Sequence, residues 1–280
     1  MTKPMVSHIR DLGIPIKENI IISKLFTRDE CVIGAVGYDV RNDQPVTFSS
    51  KATVLATGGA GALYKRTDCP LRTTGDGYSL AYHIGATLRD MEFVQFFPLA
   101  LAEPGHPPRL VGAGIVEDGH IVNKHGEDIR ARVKSTRQEF DAVQAETELE
   151  RYRNLRSMEG NVKPRDLIDE LRELMWVKAS MVRTHEGLND ALENVHKLRN
   201  KMDKLLVDKP RDILEALEVP MTLDVAEMII RSALERTESR GAHFRVDYPE
   251  LDENWVKTVV LHREKGCMTV GTRSLGNSDE

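Results

Sequence analysis

The hydrophobic positions in the first fifty residues fall in short runs that are typical of β-strands. Residues 19–26 and 31–39 are rich in isoleucine and valine, and a turn of Asn, Asp and Pro at residues 42–45 leads into a third, short run at residues 46–48. Short runs of β-branched residues bounded by turn residues indicate strands. The pattern therefore predicts a β-meander of three strands.

A fourth run, residues 52–56 (Ala-Thr-Val-Leu-Ala), is apolar at nearly every position. Such a run is typical of a parallel strand that is covered on both faces. It leads directly into Thr-Gly-Gly-Ala-Gly at residues 57–61. Closely spaced glycines after a strand let the backbone approach a phosphate or a planar cofactor, because a Cβ there would collide with the ligand. Residues 76–86 then have the pattern of a helix.

From about residue 135 the hydrophobic positions recur at the helical spacing i, i+3, i+4. Two such series are Leu167, Ile168, Leu171, Leu174, Met175, Val182 and Leu188, Leu192, Val195, Leu198, Met202, Leu205. A further helix is predicted at residues 223–236, and the charged residues 135–160 predict an exposed helix. Helices of this length imply an antiparallel bundle. The chain is thus divided into an α/β portion, residues 1–133, and an all-α helical-bundle domain, residues 134–280.

Composition and charge narrow the range of functions. The net charge of −5 argues against a nucleic-acid partner. The three cysteines form no CxxC pair, so neither a zinc site nor an iron–sulfur cluster is expected within the chain, and reduced thiols suit the cytoplasm. No apolar run reaches the roughly 18 residues of a membrane span. Residues 1–5 lack the apolar core of a signal peptide, and no histidine pair has the spacing of a metal site.

Each glycine motif has a functional and a structural interpretation. In the functional one, backbone N–H groups of residues 57–61 face a dinucleotide's phosphate or ribose. Asp76 then caps the next helix, and Gly75 and Gly77 let the N-terminus of that helix approach the same ligand. In the structural one, residues 57–61 form an ordinary turn, and Asp76 caps a helix through its carboxylate. Either motif alone fits both interpretations, because glycine motifs match by chance.

Three motifs in order carry a resemblance to a known family. They are ATGG-G-x-x-Y at residues 56–64, TGDG at residues 74–77 and LRDMEFVQF at residues 88–96. A fourth, ESRGAH-x-R-x-D-x-P at residues 238–249, lies near the far end of the chain and is followed by Asn254-Trp255. Taken together, these motifs resemble the flavoprotein subunit of succinate dehydrogenase and fumarate reductase.

The resemblance implies FAD as the cofactor and an FAD-dependent oxidoreductase as the parent activity. That activity would transfer two electrons between flavin and a dicarboxylate, with relay to an iron–sulfur subunit. The residues 88–96 would be the strand that crosses into the substrate domain. The residues expected to contact FAD are Thr57, Gly58, Gly59, Gly61, Thr74, Gly75 and Asp76.

The sequence also departs from the family pattern. No G-x-G-x-x-G turn for the FAD pyrophosphate occurs in residues 1–50, and Phe97 stands where the family commonly has a histidine that contacts the dicarboxylate. Beyond an N-x-x-G-E turn at residues 123–127, most of the capping domain has no counterpart. No catalytic residue is therefore assigned. We expect the isolated chain to be inactive and to bind FAD weakly or not at all.

Several explanations of these departures remain open. The chain is a fragment of a larger flavoprotein, one complementing half of a split flavoenzyme, or a divergent relative of the adenylylsulfate reductase or L-aspartate oxidase type. A different class of function is a non-catalytic interaction protein, in which the helical bundle docks on a partner subunit. The expected location is cytoplasmic, and attachment to a membrane would be peripheral, through a partner subunit.

The motif at residues 238–249 contains a dense polar cluster of Arg240, His243, Arg245 and Asp247. One interpretation is a functional site near the flavin or at a subunit interface. The favoured one is a network of salt bridges that ties the helical bundle to the α/β portion. In either case Gly241 is expected to end the preceding helix.

Overall fold

The computed structural model of the chain describes residues 2–96, 100–101, 109–110 and 142–274. The described helices are α1 Thr2–Asp11, α2 Asp76–His83, α3 Ala142–Arg156, α4 Pro164–Lys178, α5 His185–Asn200 and α6 Pro210–Glu235. The described strands are β1 Ile20–Arg28, β2 Cys31–Asp39, β3 Gln44–Ser49, β4 Leu88–Arg89, β5 Ala100–Leu101, β6 Arg109–Leu110, β7 Val182–Arg183, β8 Phe244–Arg245, β9 Lys257–Glu264 and β10 Cys267–Ser274.

The predicted β-meander is confirmed. Strands β1, β2 and β3 form an antiparallel sheet in that order, with Ile20 opposite Asp39 and Gly34 opposite Ser49. Apolar side chains such as Phe26 and Val36 are buried. The sheet is held to the helices by α3 and α6, which both contact β1. The apolar run of β2 is buried over six consecutive residues, 33–38.

The helical bundle is confirmed and is built around α6. This helix runs for 26 residues and is buried along most of its length, because β1, α2, α3, α4 and α5 pack around it. It begins 13 residues before the predicted start at residue 223, with Pro210 in its first turn, where proline is favourable. Pro220 lies inside the helix, where the loss of one hydrogen bond is outweighed by burial on all sides.

The fold class is confirmed, although three details differ, of which the last concerns residues 52–56. Residues 257–274 form the β9–β10 hairpin, and β4 pairs with β9, so the C-terminal part is not all-helical. Of the predicted strand at residues 88–96, only β4 is formed. Asp90 has a φ of 56°, which turns the chain away from β9 and carries the side chain of Glu92 into the interior.

Residues 52–56 are extended but do not form the predicted strand. Residues 52–60 carry no regular secondary structure, and Val54 is 86% exposed. A parallel strand exists only when neighbouring strands accept its hydrogen bonds, and the described residues place no strand beside this segment. An apolar run suited to a buried strand is therefore left on the surface.

Meander and bundle share one apolar core, which contains Leu25 and Val36 from the sheet and Leu171 and Val225 from the bundle.

The predicted domain boundary at residues 133–134 lies outside the described residues, as do residues 135–141 of the predicted charged helix. The remainder of that helix is α3, which is only partly exposed because Tyr152 packs against the meander. Among the described helices, none is both long and apolar enough to cross a membrane.

Candidate functional site

The two glycine motifs lie side by side in the structure. We call residues 57–63 the glycine loop and residues 71–77 the TGDG loop. The backbone N–H of Ala62 donates to the carbonyl oxygen of Thr73 at 2.9 Å. A Cβ on Gly75 would lie 2.9 Å from the Cβ of Ala60, and one on Gly58 would lie 3.7 Å from Thr73 Cγ2. Packing of the two loops therefore needs glycine at position 75.

The glycines differ in what surrounds them. Gly75 has a φ of 85°, and a side chain there would also meet Val225 of α6. A Cβ on Gly61 would collide with the sulfur of Cys69, and one on Gly77 with the Thr57 hydroxyl. Gly59 is the exception, because a Cβ there would meet no atom within 4 Å. The space on the Cβ side of Gly59 is therefore open, which leaves room for a bound ligand.

Asp76 does not cap helix α2, contrary to the sequence prediction. The N-cap is Gly75, which offers no side chain, and Asp76 is the first residue of the helix. Its carboxylate accepts a hydrogen bond from Thr74 Oγ1 at 2.5 Å. Burial raises the pKa of Asp76, and this hydrogen bond partly opposes the increase. The carboxylate is thus fixed at a helix N-terminus by a side chain of the same motif.

A cleft of about 590 Å³ lies between the meander and helices α2 and α6. Its lining includes the apolar residues Ile21, Val40, Leu80 and Leu214. The polar residues of the lining are Asn19, Thr57, Arg72, Asp76, Arg211 and Glu218. Of the seven residues expected to contact FAD, Thr57 and Asp76 line the cleft. The remaining five, Gly58, Gly59, Gly61, Thr74 and Gly75, lie in the two loops outside its wall.

Glu218 and Arg72 form an ion pair in the cleft that sequence reasoning missed. Arg72 Nη1 donates to Glu218 Oε1 at 2.8 Å, and Glu218 is buried. Burial raises the pKa of Glu218 to about 7, and the charge of Arg72 opposes the increase while those of Asp76 and Glu215 add to it. The available signal was the presence of acidic residues in a helix that is otherwise apolar on all sides.

The raised pKa predicts how stability depends on pH. Between the ordinary value of 4.5 and about 7, the folded chain binds a proton at Glu218 that the unfolded chain releases. The free energy of unfolding should therefore fall as pH rises through this window, by roughly 2–3 kcal/mol. Glu218→Gln should remove this contribution. Urea unfolding at pH 5, 6, 7 and 8 measures it, with the exposed Glu150→Gln as the control. Parallel profiles for wild type and Glu218→Gln would contradict the prediction.

The cluster of the ESRGAH motif is built from buried charges that hold parts of the chain together. Arg236 Nε lies 2.6 Å from Glu92 Oε1, and both side chains are buried. Arg245 donates to the carbonyl oxygen of Ala233 at 2.7 Å, so it caps the end of α6, and it also pairs with Asp247 at 2.6 Å. The pair of Arg236 and Glu92 joins the end of α6 to the segment after β4, which supports the interpretation as a structural network, whereas Arg245 and Asp247 pair within the motif.

Two other features of this motif are specific to the structure. Helix α6 ends at Glu235, and Gly241 lies in the following turn with a φ of 56°, so Gly241 does not end the helix. Arg183 Nη1 lies 2.6 Å from His243 Nδ1. Burial, with the charge of Arg183, lowers the pKa of His243 to about 3. The imidazole is therefore neutral and accepts a hydrogen bond at Nδ1.

The structure assigns no catalytic residue. Phe97 and residues 123–127 lie outside the described residues. No group of three metal-ligating side chains occurs within residues 2–96 or 142–274. The site that the described residues assemble is a pair of loops beside a cleft, with backbone groups and carboxylates available to a ligand.

Comparison with known proteins gives a consistent result. A family model described as "Fumarate reductase flavoprotein C-term" matches residues 168–278. A CoM/CoB fumarate reductase subunit from Methanothermobacter marburgensis is 24% identical, and the match covers 91% of this chain and 71% of that protein. L-aspartate oxidase of Synechocystis is 44% identical over 82 residues, which are 29% of this chain and 15% of that protein.

The fold is also similar to that of solved structures. The Mycobacterium smegmatis Sdh1 complex in the apo form matches with a TM-score of 0.82 and 19% identity, over 99% of this chain and 71% of that chain. The alignment with the Methanothermobacter protein runs over 390 positions, whereas this chain has 280 residues. The relative therefore has many aligned positions without a counterpart in this chain.

Proposed function

Because the chain belongs to the fumarate reductase and succinate dehydrogenase flavoprotein family, we propose that its glycine loop and TGDG loop hold FAD. The observation that carries this proposal is the contact between the two loops, beside which the Cβ side of Gly59 is open. The backbone N–H groups of the glycine loop suit a phosphate or ribose. The carboxylate of Asp76 suits a hydroxyl of the cofactor, because an ionised carboxylate is a hydrogen-bond acceptor.

We further propose that the intact protein is an oxidoreductase that transfers two electrons between flavin and a dicarboxylate, with relay to an iron–sulfur subunit. Bound FAD would supply the hydride chemistry. The relatives support this class of reaction, since one is an L-aspartate oxidase and another belongs to a fumarate reductase. The described residues contribute cofactor-binding groups. The groups that would clamp two carboxylates and deliver a proton have not been identified among them.

The first test is an FAD titration, followed by the change in flavin fluorescence. We expect weak binding by the isolated chain, because no pyrophosphate-binding turn is found in residues 1–50. Gly59→Ala should weaken binding further, by roughly 10-fold or more, without changing the melting temperature, because the added Cβ meets only ligand. Gly271→Ala in β10 is the control, because a Cβ there would also meet no atom within 4 Å and Gly271 does not have a positive φ. Equal FAD affinity in wild type and Gly59→Ala would argue against this site. Flavin that co-purifies stoichiometrically would contradict the expected weak binding.

A second candidate is a complementing half of a split flavoenzyme. It is favoured by residues 52–56, an apolar run that is exposed and lacks a neighbouring strand among the described residues. A polypeptide that carries a βαβ unit with a G-x-G-x-x-G turn would then pair with this segment and raise FAD affinity. A non-catalytic interaction protein would instead bind an iron–sulfur protein without flavin and without fumarate turnover.

A further inference from the structure

Arg172 contacts both loops of the candidate cofactor site from the helical bundle. The residue belongs to α4 and is buried. Its Nε donates to the carbonyl oxygen of Ala62 at 2.7 Å, and its Nη2 donates to the carbonyl oxygen of Leu71 at 2.8 Å. Ala62 lies in the glycine loop and Leu71 in the TGDG loop. One side chain thus binds one backbone carbonyl group of each loop.

The geometry of guanidinium makes this arrangement specific. Its N–H donors lie in one plane at fixed angles, so two carbonyl oxygens bound to one guanidinium are held at a fixed separation. A lysine ammonium is a point charge on a flexible stem and does not impose such a separation. The third contact of the side chain, Nη1 to Asp169 Oδ1 at 3.3 Å, lies within α4 and orients the guanidinium.

Two further contacts connect the bundle to the same loops. The backbone N–H of Lys65, just after the glycine loop, donates to the carbonyl oxygen of Arg172 at 3.2 Å. Glu218 of α6 binds Arg72 of the TGDG loop, as described above. Helices α4 and α6 therefore both hold the loops that the meander leads into, and Arg172 is the residue that contacts both loops at once.

We propose that Arg172 is a positioning residue for the cofactor site, whose guanidinium sets the separation of the glycine loop and the TGDG loop. The inference rests on the proposed function only for the identity of the cofactor. Through Arg172 the bundle thereby acts on the backbone of both loops. In the sequence, Arg172 falls within the helix predicted from the series that starts at Leu167, and no local pattern links it to either glycine motif.

The test compares Arg172→Gln and Arg172→Lys with Arg165→Gln. Arg165 is the matched control, because it lies on the same helix and pairs with the same Asp169, at 3.1 Å, in the half-exposed part of the helix. Hydrogen–deuterium exchange should become faster in peptides that cover residues 57–63 and 71–77 in both Arg172 variants. Exchange in α5 should stay unchanged, and Arg165→Gln should resemble wild type throughout.

The second measurement uses FAD directly. Both Arg172 variants should bind FAD roughly 10-fold more weakly, the effect of about one charge-assisted hydrogen bond. The visible circular dichroism of flavin at saturating FAD should also change, which lost stability alone would not cause. If the wild-type chain binds no FAD, either alone or with a complementing βαβ polypeptide, the proposed function is wrong. The hydrogen–deuterium exchange of the two loops then decides by itself whether Arg172 sets their separation.

Three results would overturn the proposal. One is wild-type exchange in both loops of a folded Arg172→Gln chain. Another is a flavin spectrum and affinity in Arg172→Lys that match wild type, because a single ammonium would then suffice. The last is failure of both variants to fold while Arg165→Gln folds, since the residue would then be required for the core and not for the separation of the loops.

Discussion

Replacing Arg236 with methionine is expected to lower the free energy of unfolding by about 3–5 kcal/mol, a large share of the stability of a typical domain. The guanidinium binds Glu92 at 2.6 Å and Glu238 at 2.9 Å, and both carboxylates are fully buried. It also donates to the carbonyl oxygens of Trp255 and Lys257. Methionine keeps much of the volume but leaves the buried Glu92 without its cation and Glu238 with Arg240 alone. Urea unfolding followed by circular dichroism measures the loss.

Two further variants separate the charge from the packing. Arg263→Met removes an arginine from the exposed part of β9 and should change stability by less than about 0.5 kcal/mol. The double variant Arg236→Met with Glu92→Leu should regain part of the loss, because the buried carboxylate that had lost its cation is gone. A stability of Arg236→Met within about 1 kcal/mol of wild type would contradict the structural role of this network.

Gly75→Ala is expected to destabilise the chain by about 2–4 kcal/mol and to abolish FAD binding. A φ of 85° costs an L-residue about 1–2 kcal/mol. The new Cβ would also lie 2.9 Å from Ala60 and 3.1 Å from Val225, and such overpacking costs about 1–3 kcal/mol. Because Val225 belongs to the rigid core of α6, the TGDG loop would have to move away from the glycine loop. Thermal unfolding and FAD titration measure the two effects.

The matched control for this prediction is Gly85→Ala. Gly85 also has a positive φ, of 92°, but a Cβ there would meet no atom within 4 Å. It should therefore lose only the conformational part, about 1–2 kcal/mol, and should keep whatever FAD affinity the wild type has. If both glycine variants lose the same stability and affinity, the contact between the two loops does not depend on the space at position 75.

Much of the fold could be predicted because it depends on local patterns. The runs at residues 19–26 and 31–39 became strands, and the series from Leu167 and from Leu188 became α4 and α5. Each pattern repeats with the period of the element that it forms, so a short window is sufficient. The start of α6 was wrong because Pro220 has the local character of a helix breaker, whereas burial against several elements decides its conformation.

The prediction of a strand at residues 52–56 shows the opposite limit. Its composition is that of a strand with both faces covered, yet the described residues supply no partner strand, and Val54 lies exposed. The composition of a segment indicates only in which environment its side chains would be stable. Hydrogen-bonded neighbours decide whether the strand forms.

By itself, the sequence determined the meander, the two amphipathic helices, the glycine motifs and the family that these motifs indicate. The tertiary structure decided which groups meet: the contact between the glycine loop and the TGDG loop, the pairing of Arg72 with Glu218, and the attachment of both loops to Arg172. The physical reason is distance along the chain. Glu218 lies 146 residues from Arg72, and only the packing of α6 against the loops brings their charges together in a place where burial changes their pKa.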